Sequence, residues 1–148
     1  MGSLKKYFTL NGRLTPLQYW RFQVRLGLAS AVVITATTIA TMAGGWLGAV
    51  PFALILPLLA VGLSVVIRRL HDRGKSAWWL LLFLATPSAL AGFAEPLVRS
   101  NRTAAIAGLL MLPALVLMAW FWVEVAFLRG QKGPNRYGPD PRAASSAA

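Results

Sequence analysis

The chain has 148 residues, 57% of them hydrophobic, with a mean hydropathy of +0.60 and a formal net charge of +11. Cysteine is absent, which excludes disulfides, thiolate metal sites and thiol nucleophiles. So large a cationic excess would suit nucleic acid in a soluble protein, but no nucleic-acid-binding module is present and membrane topology explains the charges better.

Four apolar stretches, residues 22–44, 46–67, 77–94 and 104–128, each run 18 to 25 residues. About 20 helical residues cross a bilayer's hydrocarbon, so all four are long enough and the third is marginal. Of the 15 Lys and Arg, only Arg99 and Arg102 lie with the connections after the first and third stretches. The other thirteen lie in the two tails and the middle connection, the asymmetry of a chain whose cationic loops stay in the cytoplasm. The expectation is an all-α membrane protein: a four-transmembrane-helix bundle of two antiparallel hairpins, both termini cytoplasmic. It forms one domain over residues 1–142, with 143–148 disordered.

In chain order, a basic arm comes first, Lys5, Lys6 and Arg13 interleaved with Tyr7, Phe8, Leu10 and Leu14. Lys5 and Lys6 are not expected to open a cleaved leader, because the apolar run starts only at residue 22 and is long enough to span. Asn11-Gly12 predicts a turn. Thr15-Pro16-Leu17-Gln18 then supplies an N-cap, a proline at the first helical position and a capping-box glutamine. Tyr19 and Trp20 suit the interface, and Arg21 and Arg25 can reach back to phosphates. Ala36, Ala40 and Gly44 form a small-residue strip suited to helix contact, and the threonines 35, 37, 38 and 41 can bond within their own helix.

Gly44-Gly45 predicts a short outer turn, and Pro51 and Pro57 predict a bent second helix. The middle loop, 68–76, is dense in charge. Gly74 there suits a left-handed turn, and Ser76 suits a cap for the third helix, with Trp78 and Trp79 as interfacial anchors. A second outer loop runs from Glu95-Pro96 through Arg102. After Glu124 near the end of the fourth stretch, Gly, Pro and Asn dominate a tail of turns. Gly12-Arg13, Thr15 and Trp20 are faintly echoed by Gly74-Lys75, Ser76 and Trp78, as two related hairpins would be.

Three segments carry a family resemblance: Asn11-Gly12-Arg13 with Tyr19-Trp20; Arg68-Arg69-Leu70-His71-Asp72-Arg73-Gly74-Lys75-Ser76-Ala77-Trp78-Trp79; and Gly133-Pro134-Asn135-Arg136-Tyr137-Gly138-Pro139-Asp140-Pro141. Together they resemble the bacterial inner-membrane family catalogued as domain of unknown function 805, over nearly the whole chain. In that family's tail pattern Gly130, Gly133, Asn135, Arg136, Tyr137 and Gly138 fill their places, and Pro134 replaces a commonly polar residue. The resemblance implies a small multi-pass protein of the bacterial inner membrane and assigns no activity.

All three segments fall on the expected cytoplasmic face. Arg68, Arg69, His71, Arg73, Lys75 and Ser76 are candidates for contact with anionic lipid headgroups or phosphate, with Asp72 as the counter-charge that holds one arginine. Gly12, Arg13, Trp20, Asp72, Asn135, Arg136, Tyr137, Gly138 and Asp140 form the structural motif. Glu124 is an acid at membrane depth and needs a partner, for which Arg25, Arg68 and Arg69 share its leaflet.

No paired carboxylates, metal cluster or catalytic triad is present, and neither cofactor nor metal is expected. The leading expectation is a non-enzymatic structural or accessory protein whose basic loop and tail contact anionic lipid or a protein partner, a second copy included; nucleic acid is not a partner. A small oligomeric transporter or exporter subunit using Glu124 is the alternative. A headgroup enzyme using His71 and Asp72 is the third reading.

Overall fold

The computed structural model describes residues 8–44, 46, 49–99 and 103–143. Lys5, Lys6, Tyr7, Gly45, Arg102 and the final residues 144–148, on which several expectations fall, lie outside them. Among the described residues four helices are long and apolar enough to cross a membrane: Pro16–Gly44, Pro51–Asp72, Leu81–Val98 and Ala104–Phe127. Helices are what a chain must form where no water can satisfy its backbone.

The first helix, α1 (Pro16–Gly44), starts where its cap dictates. The Gln18 N–H donates to Thr15 Oγ1 at 3.2 Å, and the Thr15 N–H donates to Gln18 Oε1 at 3.0 Å. This reciprocal pair satisfies two groups that the first turn would leave bare, and such caps are each worth about 1 kcal/mol. Within α1, Thr37 and Thr38 donate to the carbonyls of Val33 and Ile34 at 2.8 and 2.9 Å, and Thr41 donates to those of Thr37 and Thr38. Thr37, Thr38 and Thr41 are therefore satisfied inside their own helix. On the small-residue strip, Ala36 is exposed and Ala40 and Gly44 are half-buried.

The second span is broken at Leu54 into α2 (Ala49–Ala53) and α3 (Ile55–Asp72). Pro57 has no N–H to continue the ladder, so the expected bend takes the form of a break one turn before it. In the third span a π-helical turn at Leu81–Ala85 leads into α4 (Thr86–Val98). This span lies one turn further along the chain than its apolar composition placed it. Ala77 and Trp78 are in turn conformation, and Glu95 and Pro96 belong to the helix rather than to the outer loop. Pro96 costs one ladder bond but keeps a helical φ, and Glu95 is tied one turn on to Arg99 at 2.6 Å. The fourth span is α5 (Ala104–Trp122), closed by a second π-helical turn at Val123–Phe127 in which the Leu128 N–H reaches back to the Val123 carbonyl at 3.1 Å.

Helix α1 packs on α3, and α4 on α5. The two hairpins join mainly at one end, through a cluster of Leu14, Tyr19, Val65, Leu70, Phe83, Phe121 and Val125. There Trp120 stands edge-on to both Trp79 and Phe83, with centroids 5.8 and 5.3 Å apart, the arrangement that ring quadrupoles favour.

Candidate functional site

The site grows from the end of α3, whose last carbonyls have no partners within the helix. Gly74, at φ +73°, turns the chain back: the Lys75 N–H donates to the Leu70 carbonyl at 2.9 Å and the Gly74 N–H to that of His71 at 3.0 Å. This is the glycine-closed helix end in which two carbonyls are satisfied by the turn itself. Distant chain supplies further partners. The Leu14 N–H from the arm donates to the Arg68 carbonyl at 3.2 Å, and the Gln131 N–H from the tail to the Asp72 carbonyl at 2.8 Å. Asn135 Nδ2, also from the tail, gives a second bond to the His71 carbonyl at 3.0 Å.

Asp72 is the centre of this meeting. Its side chain is 1% exposed and lies between two arginines. Arg13 Nε and Nη2 are each 3.0 Å from Oδ1, and Arg69 Nη1 is 2.7 Å from Oδ2. The spare donors are also used. Arg13 Nη1 reaches the Gly133 carbonyl at 2.6 Å, and its Nη2 reaches that of Gln131 at 2.5 Å. Arg69 Nε donates to the Val125 carbonyl at 2.8 Å, and its Nη2 donates to the Leu128 carbonyl.

Arg69 thereby caps the π-helical turn that ends the fourth span, placing a cation where the helix dipole is negative. Trp20 assists from α1, its Nε1 donating to the Ala126 carbonyl at 3.1 Å. A buried ion pair is tolerable only when its remaining groups are bonded. Here the arm, the middle loop and the tail do that for one another.

Glu124 is the second charged centre, 3% exposed. Its Oε1 accepts from Arg73 Nε at 2.8 Å and lies 3.2 Å from Lys75 Nζ, which also sits 3.9 Å over the Trp79 ring. The partners expected from the sequence were Arg25, Arg68 and Arg69, and the structure replaces them. Arg69 is committed to Asp72, whereas the turn at Gly74 carries Arg73 and Lys75 back over the π-helical turn.

The tail is a folded cap. His71 and Tyr137 stack with centroids 3.8 Å apart and rings 4° from parallel. Asn135 and Gly138 exchange backbone bonds at 3.0 Å, and Asn135 Oδ1 accepts the Tyr137 N–H at 2.9 Å. Arg136 lies outside, over the Tyr137 ring, with a long 3.4 Å bond to the Gly74 carbonyl. Asp140 closes the far turn. The backbone N–H and guanidinium of Arg142, with the Gly133 N–H, hold its carboxyl down at about 2. Gly130 has no alternative: a Cβ there would stand 1.8 Å from Asp72 Oδ2.

The sequence-derived candidates thus separate. Gly12, at φ +95°, lets the arm turn beside the buried Arg68, and Arg13, Asp72, Asn135, Tyr137, Gly138 and Asp140 assemble as one unit. Arg69 is 0% exposed, and His71 is buried as well. Ser76 is half-buried and engages the third span through its carbonyl, which accepts the Trp79 N–H at 3.2 Å. Arg21, Arg25, Arg129, Lys132 and Arg136 stand exposed at this end of the bundle. Gln131 and Arg142 are structural residues that the sequence reading did not single out. For Gln131 the available signal was its place within the family's tail pattern; Arg142 lies beyond that pattern.

The profile of the family described as "Protein of unknown function (DUF805)" matches residues 7–139, and so covers the first two interlocking segments and the third as far as Pro139. The chain belongs to this family. It is 29% identical to "Inner membrane protein YhaI" of Escherichia coli strain K12 over 99% of this chain and 97% of that protein. To "Inner membrane protein YhaH" of the same strain it is 26% identical, over 94% of this chain and 92% of that protein. No solved structure matches it.

Proposed function

We propose that this inner-membrane protein is a non-enzymatic structural or accessory component whose clamped end faces the cytoplasm and meets anionic headgroups. The observation that carries the reading is the interlock of arm, middle loop and tail on Asp72. Its chemistry is committed to holding segments together. Each of the chain's four acids is bound to a cation: Asp72, Glu95, Glu124 and Asp140. The one histidine is stacked on the tail.

The exposed cations Arg21, Arg25, Arg129, Lys132 and Arg136 form a collar at the same end, where anionic lipid would attract each by about 1 kcal/mol. The distribution of Lys and Arg supports the sidedness. Against a transport role stand the two cations on Glu124 and the bonding of Thr37, Thr38 and Thr41 within α1.

Two measurements test this reading. A cysteine placed at Lys132 should react only with reagent delivered from the cytoplasmic side. Replacing Arg129, Lys132 and Arg136 together by Glu should weaken retention of phosphatidylglycerol relative to phosphatidylcholine in native mass spectrometry. Labelling from the periplasm, or retention unchanged by charge reversal, would defeat it.

A further inference from the structure

Away from their shared end the two hairpins part. Among the described residues, neither α1 nor α3 makes a close backbone approach to α4 or α5. Between them lies a cleft of about 430 Å³, whose walls include Gln23, Leu26, Ile34, Leu58, Leu84 and Phe121. It adjoins a furrow of about 610 Å³ along the third span, sharing Leu63, Leu80 and Leu84 with it. Gly62 lines the cleft and leaves room for Leu26, whose Cδ2 would be 3.2 Å from a Cβ at that position.

The cleft has a polar end and an apolar length. Gln23 lies one turn beyond Tyr19, which is 1% exposed in the cluster joining the hairpins, so it marks the clamped end of the cleft. Its Oε1 is buried and accepts no hydrogen bond from the described residues. A buried acceptor left bare is costly, and a donor brought by a ligand would remove that cost. From Gln23 the lining climbs α1 by eleven residues to Ile34, about 16 Å at the helical rise. One leaflet's share of a ~30 Å hydrocarbon core is about 15 Å.

We infer that the cleft takes one of the two acyl chains of a phospholipid of the leaflet on the clamped side, the chain lying along α1 and α3 and a hydrogen-bond donor of the headgroup on Gln23 Oε1. Three observations converge on that occupant: an orphan acceptor at interface depth, an apolar run one leaflet long, and a cleft lined from both hairpins. The site selects for a donor rather than for negative charge. It therefore stands apart from the cationic collar, and either can fail without the other.

The test uses the full chain in nanodiscs of phosphatidylethanolamine or phosphatidylcholine with identical acyl chains, followed by native mass spectrometry. Both lipids are zwitterionic, but only the first carries N–H donors. The expected result is one retained lipid per chain, held at least about ten-fold better from phosphatidylethanolamine. Gln23→Leu should abolish the preference, and Leu58→Trp, which fills the cleft, should expel the lipid. Equal retention of the two lipids by the wild-type chain would overturn the inference, even if neither variant folded. So would a preference that survives Gln23→Leu, or a lipid-free dimer, which would place a second copy in the cleft.

Discussion

At one end of the bundle Arg69 and Leu70 are 0% exposed, while along α1 Val32 and Met42 stand 69% and 85% exposed. The exposed shafts are as apolar as the lipid around them, so no hydrophobic force presses one against another. The clamped end inverts the usual arrangement, burying charge where the shafts display hydrocarbon. Cohesion in this molecule is concentrated where arm, loop and tail exchange hydrogen bonds around Asp72. The difference teaches that the motif segments hold the hairpins together, whereas the spans supply depth.

The largest break should come from Asp72→Ala. It leaves the guanidiniums of Arg13 and Arg69 buried without their anion, a loss of about 3–5 kcal/mol of the kind seen when one member of a buried pair is removed. Thermal unfolding in detergent would measure it. Gly130→Ala comes next. Its Cβ would meet Asp72 Oδ2 at 1.8 Å, so tail or carboxylate must shift, at about 1–3 kcal/mol as for other overpacked sites.

Asn135→Ala removes one bond to the His71 carbonyl and one from the Tyr137 N–H, with an expected cost of about 1–2 kcal/mol and faster proteolysis of the tail. The Asp140 turn should respond to acid. Its carboxyl titrates at about 2 when folded against an ordinary 3.8. Its contribution is therefore complete above the ordinary value and disappears as pH falls through the folded one. Tyr137 fluorescence should follow that loss, and Asp140→Asn should flatten the response. Val32→Ala, on the lipid-facing shaft, sharpens the contrast from the other side: the melting point should move by the equivalent of less than about 0.5 kcal/mol.

Much of the architecture was legible because its causes are local. Apolar length marks four spans, Thr15 and Gln18 announce the start of α1, and Gly74 closes α3 as its type suggests. What escaped depends on helical phase and on long-range meeting. The partners of Glu124 could not be read, because a π-helical turn shifts the face on which it lies. Asp72 was legible as a counter-charge to one arginine. That it binds two, one of them 59 residues away, follows only once the arm crosses the end of α3. Gly130 looked like one more turn residue, yet its lack of a side chain is what admits the carboxylate. The edges of the third span slipped because composition alone cannot distinguish its opening turns from helix.

Hydrogen exchange of the tail amides, resolved by residue, tests the central claim most directly. In the intact protein the Gln131 and Gly138 amides, bonded to the Asp72 and Asn135 carbonyls, should be protected well beyond an unstructured tail. In Asp72→Asn that protection should collapse, while amides in the middle of α3 keep theirs. A tail that exchanges freely in the wild-type protein, or one that stays protected after Asp72 loses its charge, would contradict the account.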